Sequence, residues 1–498
     1  MKTVERWGVF EWRGMGRSDG NPFTDHDIRG VFHTPCGDVT VDGFYDGDGE
    51  YAVRFMPETE GEYRYEIAGG FSGETFAGSF ACTPASPDNH GPVRVRGMHF
   101  EYADGTPYHP FGTTCYVWEL QDDALCEGTL AALDEGFFNK LRFCVFPKHY
   151  LYNLHEPVSY PYEGTPCRIE PDAPLTFGVM PGNDWDFTRF NPAHFRRVER
   201  SIAALGARGV EADLILMHPY DRWGFSEMPA AADDLYLRYA LARFAAYRNV
   251  WWSLANEYDL LGKKTIADWE RFAAILVDGD PYHHPRSIHN CFTLYDHTRP
   301  WITHCSIQRT DIYKTTELVD AYRTRYGKPV VMDEICYEGD IDQGWGNISG
   351  EELVRRFWEA AMRGGYASHG ETFDSPDGRL WWSHGGALKG ESPARIRFLR
   401  RIVDQAPAGL RLYAGHAWDE TVAECEPPAQ DALRIHYFGF NRPSSRAMET
   451  INGAPCRVEV IDTWNMTIED AGVHAGAFRL KLPARPYMAV RLTAIQCE

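Results

Sequence analysis

Two glutamates follow apolar runs that are typical of buried strands, and their positions make them the strongest candidates in the chain for reactive side chains. Residues 250–254 lead to Glu257, and residues 329–332 lead to Glu334. Short continuous apolar runs of this kind predict parallel strands buried on both faces. Because the carboxyl ends of parallel barrel strands meet at one edge, we expect the two side chains to lie close together.

A pair of neighbouring carboxyl groups can break a glycosidic bond with retention when the groups lie about 5 Å apart. One group protonates the leaving oxygen and later activates water, while the other attacks the anomeric carbon. We expect Glu257 to be the acid and base, because the Asn256 amide beside it can orient it. Glu334 is the expected nucleophile. Asp333 is the less favoured choice, since neighbours on a strand face opposite sides.

The middle of the chain alternates strand and helix patterns, as a (β/α)8 TIM barrel requires. Eight strand candidates cover residues 111–117, 140–146, 212–217, 250–254, 287–290, 302–306, 330–333 and 366–370. Helical patterns connect them, for example at residues 195–205, 233–247, 265–277, 315–326 and 351–363. Residues 147–190 lack clear periodicity, and we expect them to form an elaborate loop over the mouth of the barrel.

Both ends of the chain have the alternating pattern of antiparallel strands instead. We therefore predict an N-terminal β-sandwich over residues 1–86, the catalytic barrel over residues 87–404, and a C-terminal β-sandwich over residues 405–498. The predicted fold class is α/β, a (β/α)8 TIM barrel with two flanking β-sandwich domains.

Composition restricts the possible partners. The net charge of −21 disfavours nucleic acid and anionic membranes, and no stretch approaches the length of a membrane span. Twelve cysteines without a CxxC pair or a close framework indicate thiols in a reducing compartment, so we expect a cytoplasmic protein. Its oligomeric state, monomer or homo-oligomer, stays open. We expect no metal and no cofactor, because metal-binding, Walker A and dinucleotide-binding motifs are absent.

Several longer motifs occupy residues 218–224, 247–259, 344–351, 364–372 and 381–383. They resemble a bacterial family of glycoside hydrolases with an N-terminal DUF5060 domain, a DUF4038-like (apiosidase-like) barrel and a C-terminal DUF5605 domain. The Asn256-Glu257 pair and Glu334 also resemble the acid/base and nucleophile of the clan of 4/7 barrels. The resemblance covers nearly the whole chain and implies a retaining two-glutamate mechanism.

The clan resemblance implies supporting roles for three further residues. Arg142, on the second strand, matches the arginine that holds the nucleophile ionised, a role consistent with a cation near a carboxylate. His304 is the nearest equivalent of an aromatic or histidine residue on the sixth strand. Trp382 or its neighbour Trp381 matches a tryptophan that forms the floor of the −1 subsite.

Further site candidates come from their positions at strand ends. His218 is expected beside Glu257, where burial would help to keep the acid protonated. Glu119 and Glu371 are expected to bind sugar hydroxyls from the ends of the first and eighth strands. Trp223, after the third strand, is expected to form a subsite wall.

The sequence therefore predicts a retaining glycoside hydrolase that removes single units from a short oligosaccharide or glycoside. A transglycosylase with the same two glutamates is the alternative within enzymes. A non-catalytic carbohydrate-binding protein is the alternative outside them, and the presence of both glutamates argues against it. The sugar, its ring form and the linkage that is cleaved stay open.

Overall fold

The N-terminal module is built from two sheets of mainly antiparallel strands, which enclose an aromatic core. The computed structural model describes residues 2–168, 178–311 and 314–495. One sheet has the order β1-β8-β7-β3-β4 and the other the order β2-β6-β5. Phe10, Phe32 and Phe80 pack between them, with Phe10 stacked on Phe80 at 4.3 Å. The strands are β1 (Lys2–Glu5), β2 (Phe10–Met15), β3 (Arg29–Thr34), β4 (Gly37–Asp42), β5 (Phe44–Gly47), β6 (Glu50–Phe55), β7 (Gly61–Ala68) and β8 (Phe76–Thr83).

A small three-stranded sheet closes the amino-terminal end of the barrel. It comprises β9 (Val93–Arg96), β10 (His99–Tyr102) and β11 (Pro107–Tyr108), paired in antiparallel fashion. Phe100 on β10 packs against Trp251 and Tyr366, with ring centroids 5.0 and 5.7 Å away. The bottom of the barrel is therefore filled by apolar rings.

The predicted (β/α)8 barrel is confirmed. Its eight parallel strands follow the order β18-β17-β16-β13-β12-β22-β20-β19, a nearly closed sheet. The barrel strands are β12 (Gly112–Thr114), β13 (Lys140–Cys144), β16 (Glu211–Ile215), β17 (Val250–Ser253), β18 (Arg286–Ser287), β19 (Cys305–Gln308), β20 (Val330–Glu334) and β22 (Tyr366–His369). The additional short strands are β14 (Tyr162–Thr165), β15 (Asp184–Phe190), β21 (Glu338–Gly339) and β23 (Glu371–Thr372).

Helices connect most of the barrel strands, and polar caps fix where several of them begin. Asn191 caps α2 and is followed by Pro192, while Ser349 caps α6 by accepting a hydrogen bond from Glu352. The segment between β18 and β19, all of it described, contains no helix. The helices are α1 (Asp123–Asp134), α2 (Pro192–Gly206), α3 (Ala230–Phe244), α4 (Ile266–Gly279), α5 (Val319–Tyr326), α6 (Gly350–Met362), α7 (Trp381–His384) and α8 (Ser392–Val403).

The C-terminal module is a β-domain with its own apolar core. A six-stranded sheet has the order β24-β25-β26-β31-β28-β29, and β27 pairs with β30 beside it. Cys456, Val458 and Val490 are among the residues buried in its core. The strands are β24 (Leu410–Leu412), β25 (Thr421–Cys425), β26 (Leu433–Tyr437), β27 (Ser445–Glu449), β28 (Cys456–Asp462), β29 (Thr467–His474), β30 (Ala477–Lys481) and β31 (Met488–Ala494).

Two chain-wide features follow from these elements. Across residues 2–168, 178–311 and 314–495, no helix is both long and apolar enough to cross a membrane. The eleven cysteines in the same ranges are all free thiols, and those on the barrel strands are buried.

A buried ion cluster joins the N-terminal module to the barrel. Arg54 on β6 donates to Glu199 on α2 at 2.6 and 3.1 Å, and Arg243 on α3 donates to the same carboxylate at 2.5 Å. All three residues are at most 5% exposed. Removal of one partner from a buried ion pair leaves the other charge buried without a partner. Glu199 should therefore stabilise the interface between the two domains.

We predict that Glu199→Ala lowers the free energy of unfolding by about 3–5 kcal/mol, because Arg54 loses its bidentate partner in the interface. The matched control is Asp42→Ala, which breaks an exposed ion pair with Arg29 and should cost less than about 1 kcal/mol. Urea-induced unfolding followed by fluorescence measures both effects. Equal, small changes in the two variants would show that the cluster does not join the domains.

Candidate active site

A cavity of about 590 Å³ opens at the carboxyl end of the barrel strands and contains both predicted glutamates. Glu257 follows β17, and Glu334 is the last residue of β20. Both side chains line the cavity although each residue is more than 90% buried. The strand ends therefore bring together two carboxyl groups that are 77 positions apart in the sequence, as the apolar runs predicted.

A phenol holds the Glu334 carboxyl group from the side of the first barrel strand. The Tyr116 hydroxyl donates a hydrogen bond to Glu334 Oε1, and its oxygen also lies 3.3 Å from Asn256 Oδ1. Glu334 Oε2 accepts no hydrogen bond from the described residues. One carboxyl oxygen of Glu334 is thus fixed, and the other is free to meet a molecule in the cavity.

Glu257 is held in a matching way by a second phenol. Tyr220 donates a hydrogen bond to Glu257 Oε2, and Asn256 Nδ2 donates to the same oxygen at 3.2 Å. The backbone of Glu257 has a φ of 51°, in the left-handed region that non-glycine residues rarely adopt. Asn256 therefore lies between the two carboxyl groups: its amide N–H donates to Glu257, and its oxygen lies beside the Tyr116 hydroxyl that donates to Glu334.

The two carboxyl groups perturb each other electrostatically. Burial, followed by the nearby charge of Glu257, raises the pKa of Glu334 to about 7. Arg142, the Tyr116 hydrogen bond and Lys148 act in the opposite direction and lower this pKa. We therefore infer that the pair retains one proton near neutral pH, whereas the sequence analysis predicted an ionised Glu334.

Arg142 lies beneath the cavity and contacts the pair indirectly. Its Nη2 donates to Asn256 Oδ1 at 3.1 Å, while Nη1 donates to Ser306 Oγ at 3.2 Å. Its nearest carboxylate is that of Asp333, at 3.5 Å. Arg142 thus orients the Asn256 amide, and its charge reaches Glu334 only from a distance.

Asp333 belongs to a charge network inside the barrel. Its Oδ1 lies 2.9 Å from Lys140 Nζ, and its Oδ2 accepts from the Ser306 hydroxyl at 2.5 Å. These cationic and polar neighbours hold the pKa of Asp333 well below its usual range, although burial opposes them. Asp333 is fully buried and does not line the cavity, so its placement gives it no path to a ligand.

Aromatic rings form much of the cavity wall. Trp382 lines the cavity and packs against Trp345 and Tyr116, with ring centroids 5.0 and 5.2 Å away. Trp381 instead lies in the core, where its indole N–H donates to Thr113 Oγ1 at 2.8 Å. Of the two neighbouring tryptophans, Trp382 therefore has the position that the sequence prediction required. Aromatic faces of this kind suit the apolar side of a sugar ring.

His304 lies at the opposite end of the barrel from the cavity. The prediction placed it inside the sixth strand, yet β19 begins only at Cys305, so His304 precedes the strand. Its ring packs against Trp251 and Phe100 at 5.0 and 5.7 Å, and burial lowers its pKa to about 3. The expected substrate contact does not fit this position. Gln308, at the other end of β19, lines the cavity instead.

Glu119 and Glu371 also lie away from the cavity. Glu119 sits in a turn after β12, fully buried, and burial raises the pKa of its carboxyl group well above the usual range. Glu371 accepts hydrogen bonds from the backbone N–H groups of Lys389 and Gly390 at 2.5 and 2.8 Å. Neither arrangement presents a carboxyl group to a sugar, so the predicted contacts do not fit.

Trp223 and His218 pack behind the cavity wall. Trp223 is 1% exposed and stacks on Phe225, with ring centroids 6.2 Å apart. His218 is 3% exposed, and its Nε2 lies 3.2 Å from the carbonyl oxygen of Phe146. Because neither residue lines the cavity, the predicted subsite wall at Trp223 and the contact at His218 do not fit.

Several cavity residues were missed by the sequence analysis, among them Tyr116, Lys148 and Tyr220. Each comes shortly after a barrel strand that was predicted, namely β12, β13 and β16. Lys148 and Tyr220 follow apolar runs, the same signal that pointed to Glu257, whereas Tyr116 lies inside the predicted strand at residues 111–117. From the predicted 147–190 loop, Lys148, His149, Tyr150 and Gly178 line the cavity.

One group among the described residues has the spacing of metal ligands: Glu338, His369 and Glu371. The Glu338 carboxylate accepts from the backbone N–H groups of Glu391 and Ser392 at 2.8 and 3.0 Å, and Glu371 accepts from the two residues before them. The carboxylate oxygens are thus already engaged by four successive N–H groups. We interpret the group as an anchor for the segment before α8.

Family comparisons agree with this three-part organisation. The model of the apiosidase-like catalytic domain matches residues 97–405. Two domains of unknown function flank it, DUF5060 at residues 3–69 and DUF5605 at residues 418–493. No curated protein matches the chain.

Solved structures show the same architecture. A candidate glycoside hydrolase from Bacteroides vulgatus ATCC 8482 is 35% identical, with a TM-score of 0.91, covering 99% of this chain and 100% of its own. A glycoside hydrolase family 5 structure from the same organism is 12% identical with a TM-score of 0.57, covering 82% of this chain and 94% of its own. The second likeness concerns the fold alone.

We predict that Tyr116→Phe raises the pKa of Glu334 by about 1–2, because the lost hydrogen bond favours the ionised carboxyl group. Infrared difference spectra between each protein and its Glu334→Gln counterpart isolate the titration of this carboxyl group. The matched control is Tyr295→Phe, which removes a phenol bonded to Glu270 away from the cavity. An unchanged Glu334 titration in Tyr116→Phe would rule out the assigned hydrogen bond.

Proposed function

The chain belongs to the apiosidase-like family, and from that premise we propose that it is a retaining glycoside hydrolase with Glu334 as nucleophile and Glu257 as acid and base. Its fold and relatives support glycosidase activity in general terms. The observation that carries the finer proposal is the burial of two hydrogen-bonded carboxyl groups in one cavity. A pair that retains a single proton has the protonation that an acid and a nucleophile need.

The first step would form a glycosyl ester. The proton of Glu257 passes to the glycosidic oxygen while Glu334 Oε2 attacks the anomeric carbon, and the bond to the leaving group breaks. Glu334 Oε1 keeps its hydrogen bond from Tyr116, which orients the attacking oxygen. Asn256 and Tyr220 hold Glu257 in place for the proton transfer.

The second step would reverse these roles with water. The Glu257 carboxylate takes a proton from water, whose oxygen attacks the anomeric carbon and displaces Glu334 as a carboxylate. Two inversions at one carbon give net retention. Both glutamates return to their starting protonation, so the cycle is balanced without any other group.

The shape of the cavity favours removal of a terminal sugar unit. Its volume of about 590 Å³ lies within the range of about 300–1,000 Å³ that is usual for small-molecule sites. Trp345, Tyr337 and Trp382 form a wall on the side of β20 and β22. We therefore propose exo-action on a short oligosaccharide or glycoside.

The mechanism predicts that Glu257→Gln and Glu334→Gln abolish most of the hydrolysis of whichever aryl glycoside the wild type cleaves. The panel contains α- and β-linked pyranosides and furanosides, since the geometry does not select among them. Loss of the acid should slow kcat by about 10²–10⁴-fold. Glu334→Ala with added azide should recover activity and release a glycosyl azide, which identifies the nucleophile.

Glu119→Gln is the matched control for these variants. Because burial keeps the Glu119 carboxyl group protonated, glutamine replaces it at nearly equal size and charge. Its activity should equal that of the wild type. The proposed function would be contradicted if the wild type hydrolysed no glycoside in the panel, or if all variants were equally active.

Product analysis tests exo-action and separates hydrolysis from transglycosylation. An exo-acting hydrolase should release only monosaccharide from an oligosaccharide substrate at early times. Addition of a sugar acceptor at high concentration should leave water as the main acceptor. Larger internal fragments would contradict exo-action, and transfer products in excess of free sugar would favour the transglycosylase.

A further inference from the structure

Lys148 is a buried cation that faces the cavity without a polar partner. It follows β13 through Phe146 and Pro147, and the residue is 3% exposed. In residues 2–168, 178–311 and 314–495, no carboxylate lies within 4.0 Å of its Nζ and no hydrogen-bond acceptor is paired with it. It is also the single lysine or arginine among the described residues that line the cavity.

Three aromatic rings pack against this ammonium group. Nζ lies 3.3 Å from the ring centroid of Tyr116, 4.3 Å from that of Tyr220 and 4.6 Å from that of Trp382. The attraction of a cation to ring faces stabilises this position. Tyr116 and Tyr220 donate hydrogen bonds to Glu334 and Glu257. Lys148 therefore packs against both phenols that hold the carboxyl pair.

Ring faces leave the ammonium N–H groups without acceptors. A lysine ammonium has three donors, and a buried charge is costly unless it is paired and hydrogen-bonded. Lys148 lines the cavity, so its ammonium group is accessible from that side. An oxygen of the molecule that enters the cavity can therefore supply the missing acceptor.

We propose that Lys148 recognises an oxygen substituent, a hydroxyl or a carboxylate, on the ring of the sugar unit that is transferred to Glu334. The proposal rests on the proposed function, because that sugar occupies the same cavity. It makes Lys148 a specificity-determining residue that contacts substrate.

The charges around Lys148 are compatible with this role. Burial lowers its pKa to about 8, with Glu257 and Glu334 acting to raise it and Arg142 to lower it. The group is therefore still largely protonated at pH 7. His149, which also lines the cavity, is neutral there because burial lowers its pKa to about 4.

The test compares the wild type with Lys148→Met, which keeps the length and the apolar contacts but removes charge and donors. Substrates are an aryl glycoside that the wild type cleaves, its monodeoxy analogues and the corresponding uronide. For the wild type, loss of the recognised oxygen should lower kcat/KM roughly 10- to 100-fold. Lys148→Met should be slower on the parent glycoside by a similar factor and should no longer distinguish that analogue.

Two further variants keep the test decisive. Lys148→Gln retains N–H donors without the charge and should recover part of the discrimination if a hydroxyl is the partner. Lys263→Met, at an exposed lysine outside the cavity, is the matched control and should behave as the wild type. A preference of the wild type for the uronide that Lys148→Met loses would identify a carboxylate as the partner.

The outcomes separate this proposal from the proposed function. If the wild type cleaves a glycoside while Lys148→Met and Lys148→Gln discriminate all analogues as it does, the role of Lys148 is overturned and the hydrolase stands. If the wild type cleaves no glycoside, both proposals are contradicted.

Removal of the Lys148 charge should also move the acidic limb of the kcat/KM profile to higher pH, because Lys148 lowers the pKa of Glu334.

Discussion

Two carboxyl groups buried in one cavity repel each other when both are ionised, and the arrangement of the site depends on this constraint. The barrel brings Glu257 and Glu334 together, and burial strengthens their interaction. Tyr116, Tyr220 and Asn256 each donate a hydrogen bond to one of the carboxyl groups and so hold it in position. Burial and the charge of Glu257 raise the pKa of Glu334 to about 7 against the effect of the Tyr116 hydrogen bond. We infer from this that the pair holds one proton near neutral pH, as a reaction with one proton donor and one nucleophile requires.

Much of the fold could be predicted from the sequence because barrel strands are buried on both faces. Their continuous apolar runs are distinct from the alternating runs of the flanking β-modules. The same runs indicated where Glu257 and Glu334 would lie, since a strand end fixes a side chain at the rim of the barrel. Alternation along β20 separated Glu334, in the cavity, from Asp333, in the charge network beneath it.

The remaining site residues depend on details that an apolar run does not encode. A shift of three residues in the predicted start of β19 placed His304 near the cavity, although it lies at the other end of the barrel. Glu119 sits in a turn that directs it into the core, and neither its residue type nor its spacing reveals that turn. Tyr116 and Lys148 were missed because their roles come from contacts between different strand ends, which only the folded barrel brings together.

The most direct test of the two-glutamate account is to find where the sugar becomes attached to the protein. A fluorinated glycoside that forms the glycosyl ester quickly and hydrolyses slowly should add one sugar mass to the intact chain. Digestion and peptide sequencing by mass spectrometry should then place that mass on Glu334, with none on the Glu334→Gln protein. A sugar attached to Glu257 or Asp333, or turnover with inversion and no adduct, would contradict the account.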